Sequence, residues 1–205
     1  MQHYGSFFDK TYENADEDFT AIPWARLQPN NFLKEWLEKD RAYTKVKKGL
    51  VVGCGLGDDT ELLQNSGYNV TAFDYADKAI EQCRNRHPNS NATYLQADLF
   101  ELPKEWVNSY DFVFEAYTLQ SLPNELRKEA LYNITNVIKN SGLLLVVCFA
   151  NKSESINPPG PPHPIRKDEI EWIKDLDFSI VHFEEKNISG RDEYFWVFKK
   201  EDDKA

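Results

Sequence analysis

The stretch Gly49-Leu50-Val51-Val52-Gly53-Cys54-Gly55-Leu56-Gly57-Asp58-Asp59 constrains this chain more than any other. A short apolar strand runs into glycines at alternate positions, Gly53, Gly55 and Gly57, and two aspartates then open a helix. Glycine lets a backbone turn sharply and approach a ligand with no side chain in the way. The spacing is G-x-G-x-G. A dinucleotide fingerprint, G-x-G-x-x-G, would place its third glycine at position 58, where Asp58 stands. A carboxylate there opposes a pyrophosphate across the first helical turn and suits a cationic ligand better. Taken alone, the triplet also fits a plain strand-to-helix turn.

The next sixty residues extend the pattern. Tyr68 to Phe73 reads as a second strand and ends in Asp74, with Tyr75 next. An acid at a strand tip about 20 residues past the glycines is placed to hold the hydroxyls of a nucleoside ribose. Ala92 to Gln96 reads as a third strand and delivers Asp98, and Tyr110 to Phe114 as a fourth, delivering Glu115. Ligands of open α/β sheets bind beyond the carboxyl ends of the strands, so glycines and acids at successive tips point to one crevice.

With these motifs in order, the chain resembles the class I S-adenosylmethionine-dependent methyltransferases over nearly its whole length. The resemblance implies that the loop from Val52 to Gly57, including Gly53, Cys54, Gly55 and Gly57 and followed by Asp58, packs against the methionine part of S-adenosylmethionine. It implies that Asp74, with its neighbour Tyr75, binds the ribose, and that Asp98, with Leu99, takes the adenine amino group. The segment Glu115 to Pro123, including Tyr117, would border the transferable methyl. The expected fold is α/β, a single-domain Rossmann-like methyltransferase fold. It has a seven-stranded mostly parallel sheet with an antiparallel last strand and helices on both faces.

The order of elements agrees. Helix and strand patterns alternate, as in a mostly parallel sheet. Helices are expected over Asn30 to Lys39, Asp58 to Ser66, and Lys78 to Arg86 with Asp77 as N-cap. Another runs from Pro123 to about Lys139, where apolar residues from Leu126 to Ile138 recur at helical spacing. Leu143 to Phe149 reads as a buried strand, Lys167 to Leu176 as a helix. Phe178 to Glu184 and Tyr194 to Lys199 read as a final hairpin, its last strand inserted between the fifth and sixth. A nicotinamide-dependent reductase, the weakest alternative, would continue with another strand–helix unit. The single domain subdivides into a lid or flap at 1–29, a cofactor-binding core at 45–150, a proline-rich active-site loop at 151–166, and a carboxy-terminal helix and hairpin at 167–200.

Charge narrows the partners. The net charge of −10 speaks against a nucleic-acid substrate, which needs a basic face. No apolar run approaches the about 18 residues that span a bilayer, and the amino terminus lacks a signal-peptide pattern. The three cysteines, Cys54, Cys83 and Cys148, are far apart, so neither a disulfide framework nor a metal site is indicated. A cytoplasmic protein is expected, with no membrane or nucleic-acid partner, as a monomer or weak homodimer acting on a small-molecule acceptor.

Two segments outside the sheet bear on that acceptor. Residues before Pro29 carry Tyr4, Phe7, Phe8, Tyr12, Phe19 and Trp24, which could be a packed flap or a lid that excludes water. Ile22 to Pro29 resembles the Pro-Trp segment of bacterial methyltransferases akin to the thiopurine and halide/thiol methyltransferases, which implies that Trp24 lies near the cofactor. Residues 151–164 hold five of the ten prolines, together with His163. Tyr4, Phe8, Tyr117 and His163 are the candidates for contact with the acceptor. No residue presents itself as a general base, which favours soft nucleophiles such as thiols or halides, with amines alongside. A non-catalytic S-adenosylmethionine-binding module carries the same motifs and is the alternative.

Overall fold

Strand formation begins at Lys48–Val52 (β1), whose last four residues are all buried, and Asn69–Asp74 (β2) and Thr93–Gln96 (β3) pair beside it in parallel. The computed structural model describes residues 2–15, 18–39, 47–153 and 160–202, with side chains from residue 7 onward. The side chain of Tyr4, together with Lys45, Val46, Pro158 and Pro159, therefore lies outside the described residues.

The chain divides into two compact units, residues 1–98 and 99–205. In the first, β1 to β3 alternate with helices Gln2–Ala15 (α1), Asn31–Lys39 (α2), Asp58–Asn65 (α3) and Asp77–Arg86 (α4). Helix α3 opens on Gly57 in the left-handed conformation, and Asp58, Asp59 and Glu61 in its first turn complement the helix dipole. In the second, Tyr110–Ala116 (β4) pairs in parallel with Ile138–Phe149 (β5). Arg191–Lys200 (β7) then lies antiparallel to both β5 and Phe178–Ile188 (β6). Helices Asn124–Asn136 (α5) and Lys167–Glu171 (α6) complete it. The strands form one mixed seven-stranded sheet of order β3-β2-β1-β4-β5-β7-β6, with the last strand inserted as expected. Residues 143–148 of β5 and 193–198 of β7 are buried without alternation, the pattern of strands covered on both faces.

Four local expectations change. Tyr4, Phe7, Phe8 and Tyr12 do not precede the first helix; they sit on α1, while Phe19 opens a short 3-10 turn and Trp24 follows it. Phe8, Tyr12 and Ala15 follow helical spacing, and Tyr12 and Ala15 bury against Ile22, Leu56, Ala76 and Ala79. The helix α4 is capped by Ala76 without a side-chain bond, and Asp77 is its first residue rather than its N-cap. Helix α5 stops at Asn136, and Ile138 belongs to β5, paired with Tyr110 before the register shifts at Phe112 and Leu143. Ile138 is fully buried as a strand residue, so it prolongs the apolar spacing without prolonging the helix. The last two strands are longer than expected and meet at Ser189 and Gly190, with φ of 52° and 84°. Positive φ at both central residues is the geometry of a two-residue hairpin turn whose twist matches the strands.

Candidate active site

In the first unit the three strand ends stand side by side. Val52 is level with Phe73, and Asp74 with Gln96. Beyond β1 the chain alternates, with φ of +60° at Gly53, +53° at Gly55 and +87° at Gly57. That region favours glycine, so three alternate glycines let the turn form with little strain. The turn is held by Cys54 N–H donating to Phe73 O at 2.9 Å and Gly57 N–H to Cys54 O at 3.0 Å. A Cβ on Gly57 would stand 2.8 Å from Tyr94 Oη, so this glycine also permits close packing. Among the described residues, a Cβ on Gly55 would meet only Tyr12 Oη, at 3.5 Å, so its flank toward them is otherwise open.

Asp74 ties the loop to β2. Its Oδ2 accepts from Gly55 N–H at 2.9 Å and its Oδ1 from Ala76 N–H at 3.0 Å. Each oxygen keeps acceptor capacity for a further donor. Burial raises the Asp74 carboxyl above the ordinary range; the backbone N–H groups of Ala76, Gly55 and Tyr75 oppose that shift and the nearby Asp9 adds to it. Asp9, on α1, is itself raised by burial and by the proximity of Glu13 and Asp77. The region around the glycine loop is thus acidic and partly desolvated, a setting that favours a cation.

Helix α1 reaches this loop. Tyr12 is 2 % exposed, and its Oη accepts from Trp24 Nε1–H at 3.0 Å. Trp24 packs edge-on against Tyr12 and Phe8, with centroids 5.7 and 5.4 Å apart, and Phe7 closes the group. Phe7 and Trp24 keep exposed ring surface, as does Tyr75. Cys54 is a buried small side chain whose thiol faces Cys83, so any contact it offers is through its backbone. Asp98 follows β3, half-buried, and Leu99 is buried at the start of the second unit.

Asp58 is not a bare anion at the helix start. Its two oxygens take a fork from Arg86, at 3.0 and 2.9 Å, and Arg86 also bonds Leu56 O. The counterion comes from α4, so the carboxylate that the sequence sets at this helix start is paired within the protein.

In the second unit Glu115, at the end of β4, is fully buried. Its Oε1 accepts from Thr118 N–H at 2.7 Å and Leu119 N–H at 2.9 Å, while Oε2 has no partner among the described residues. These bonds pin the turn that carries Tyr117, whose φ is +64° and whose N–H bonds Val147 O at 2.9 Å. Tyr117 Oη donates to Glu193 Oε2 at 2.6 Å, and its ring lies 5.2 Å from that of Phe149. His163 is anchored by its backbone, its N–H on Gln120 O at 2.7 Å and its O on Arg127 at 3.1 Å. Its ring packs on Gly160, where an added Cβ would stand 2.6 Å from Nδ1. Arg86, Arg127 and Glu193 escaped the reading of the sequence, since their partners Asp58, Glu169 and Tyr117 lie between 28 and 76 residues away.

Burial outweighs the two bonds on Glu115 and pushes its carboxyl up to about 7 from its ordinary 4.5. The folded state therefore binds more protons than the unfolded chain between those values. Its contribution is fully present below pH 4.5 and is lost as pH rises through about 7, a swing of about 3 kcal/mol. Urea unfolding at pH 5 and pH 8 should show Glu115→Gln losing about 2–3 kcal/mol less than the parent over that interval. Asp59, raised to about 6 by burial, contributes a slope of the same sign to both proteins and cancels in the comparison.

Among the described residues, no group of three or more His, Cys, Asp or Glu is arranged to hold a metal ion, and no helix is long and apolar enough to cross a membrane.

A sheet of this order, with a glycine turn and an acid at adjacent strand tips, is the fold found in class I S-adenosylmethionine-dependent methyltransferases. The chain belongs to the thiopurine S-methyltransferase family, whose model matches residues 9–197. It is 23 % identical over 166 residues to the thiopurine S-methyltransferase of Shewanella sp. (strain W3-18-1), covering 74 % of this chain and 75 % of that one. It is 32 % identical over 114 residues to trans-aconitate 2-methyltransferase of Rhizobium rhizogenes, covering 54 % and 42 %. The chain spans about half the length of the first curated relatives it matches. Its fold matches that of magnesium protoporphyrin IX methyltransferase from Synechocystis PCC 6803 with bound SAH, with a TM-score of 0.75 at 15 % identity over 95 % of this chain and 99 % of that one.

Proposed function

We propose that this protein transfers the methyl group of S-adenosylmethionine to a small-molecule nucleophile of thiol, halide or amine type, by in-line displacement. The observation that carries the reading is Asp74, held by Gly55 N–H and Ala76 N–H at the tip of β2 beside three left-handed glycines. Each of its oxygens can accept one more bond, which matches the two hydroxyls of a ribose. The open flank of Gly55 admits a ligand against the backbone, and the acidity shared by Asp74 and Asp9 suits a cation. Gly53, Gly55, Gly57 and Asp74 would hold the cofactor, with Asp98 and Tyr75 along its adenosine and Trp24 near its methionine end.

A sulfonium supplies an already activated methyl, so the protein's work is alignment and exclusion of water. Tyr12, Trp24 and Phe8 contribute apolar and π surface to that exclusion, and an aromatic face attracts a cation. Residues 1–29 act as the covering element, and membership of the thiopurine family supports a small acceptor.

Calorimetric titration tests the central residue. Asp74→Ala should weaken S-adenosylmethionine binding by about 1.5–3 kcal/mol, the scale of hydrogen bonds to a charged group. Unchanged affinity in a folded variant would sink the assignment. Formation of S-adenosylhomocysteine with an acceptor panel separates the enzyme from a module that binds without turnover.

A further inference from the structure

We propose that Trp24 reads the charge of the bound cofactor, favouring the sulfonium of S-adenosylmethionine over the neutral thioether of S-adenosylhomocysteine, and that Tyr12 is the residue that positions it. The inference rests on the methyl-transfer function proposed for this protein and adds to it a way of favouring the reactant over the spent product.

Three aromatics surround Trp24, all within the first unit. Its indole lies at 44° to Phe7, 68° to Phe8 and 74° to Tyr12, with centroids 6.2, 5.4 and 5.7 Å away. None of them stacks face to face on it, and the residue stays 37 % exposed. Among the described residues no Lys or Arg lies over this ring, whereas Arg86 lies 5.4 Å from the centroid of Phe19 in the same unit. Indole presents the strongest aromatic face toward a cation, and desolvation strengthens the attraction.

Tyr12 fixes the ring. An indole N–H lies in the ring plane, so the bond from Trp24 Nε1–H to Tyr12 Oη at 3.0 Å turns an edge of the indole, not a face, to Tyr12. The same hydroxyl stands 3.5 Å from the position of a Cβ on Gly55, which brings the indole to the border of the glycine loop. Tyr12 is itself anchored. It is 2 % exposed, clusters with Leu56, Ala76 and Ala79, and its carbonyl accepts from Gln82 Nε2–H on α4 at 3.3 Å. Burial, and then the charge of Asp74, raise the Tyr12 phenol well above its ordinary range, so its oxygen stays a neutral acceptor. Without that hydroxyl the indole N–H loses its partner and the ring is released to turn. Toward S-adenosylhomocysteine the ring offers only apolar contact, which both ligands share.

Calorimetric dissociation constants for S-adenosylmethionine and S-adenosylhomocysteine measure the preference between them. Trp24→Leu should shift that preference toward S-adenosylhomocysteine by about three- to tenfold, the range of a partly desolvated cation–π contact. Tyr12→Phe, which keeps the buried ring, should shift it in the same sense by about threefold, and Trp24→Phe, which keeps an aromatic face, should shift it less than Trp24→Leu. Sinefungin, an adenosyl amino acid with an ammonium in place of the methylsulfonium, should follow S-adenosylmethionine in every variant. A role confined to packing would weaken all three ligands alike, and that result, or no change in any, overturns the proposal. A loss for S-adenosylmethionine that sinefungin does not share overturns it too, since the ring would then be sensing the methyl and not the charge. Failure of the parent to bind any of the three would instead overturn the function on which it rests.

Discussion

Gly55→Val should reduce S-adenosylmethionine affinity at least about 100-fold, which is about 2.7 kcal/mol or more, while the protein remains folded. Two effects add. Gly55 sits at φ +53°, where a β-branched residue is a steric outlier, so valine must pull the loop toward another conformation. Its Cβ would stand 3.5 Å from Tyr12 Oη, so the valine methyls extend into the space between loop and α1 that a ligand needs. The Gly55 N–H is also the donor to Asp74 Oδ2, and a shifted loop would release the carboxylate from its orientation. Gly67→Ala is the control. Its φ is +93°, yet no described residue lies within 4 Å of the added Cβ, so it should cost stability through backbone strain and leave affinity within about twofold. Calorimetry with circular dichroism on both variants decides the matter. Normal binding by the valine variant would reduce the glycine triplet to a turn.

Arg127→Ala should destabilise the protein by about 3–5 kcal/mol, the scale of a buried ion pair that loses one partner. The Arg127 guanidinium is 5 % exposed and pairs with Glu169 Oε2 at 2.7 Å. It also donates to Leu122 O at 3.2 Å and His163 O at 3.1 Å. Truncation leaves a mostly buried carboxylate and two carbonyls without their donor. Arg127→Lys should recover only part of the loss, because an ammonium cannot reproduce three bonds in a planar fork. Urea midpoints at pH 7 measure the effect, and a loss below about 1 kcal/mol would show that the pair is no better than a surface ion pair. Because Arg127 holds the backbone of His163, limited proteolysis near residue 163 should accelerate in the same variant.

These two positions differ in how they could be found. Gly55 announces itself in the chain, because a glycine every second residue after an apolar strand has few other uses. Arg127 is one basic residue on an amphipathic helix, and its sequence neighbours say nothing of Glu169, 42 residues on. The same contrast runs through the site. Asp74 was legible as a strand-tip acid at the right distance from the glycines. Asp58 was legible as an acid, but its neutralisation by Arg86 was not, since the fork closes only when α3 and α4 pack in the first unit.

Local pattern therefore determined the strands, their alternation with helices, the glycine turn and the acids that end β2 and β4. Apolar runs and turn residues encode these within windows of a few residues. The helical spacing of Phe8, Tyr12 and Ala15 was equally present, but a count of aromatics concealed it. The end of α5 was decided differently. Ile138 satisfies the helical apolar spacing, and only pairing with Tyr110 made it a strand residue. Tertiary structure alone decided which polar groups meet. It set Tyr12 against the glycine loop, left Glu115 Oε2 buried without a partner among the described residues, and joined Tyr117 to Glu193 across 76 residues of chain. Such contacts depend on the register of β5 against β7 and on a strained φ at Tyr117, and neither leaves a periodic trace in the sequence. Hydrophobic burial repeats along a chain and can be read from it, whereas a hydrogen bond between distant residues exists only once the fold has placed both ends.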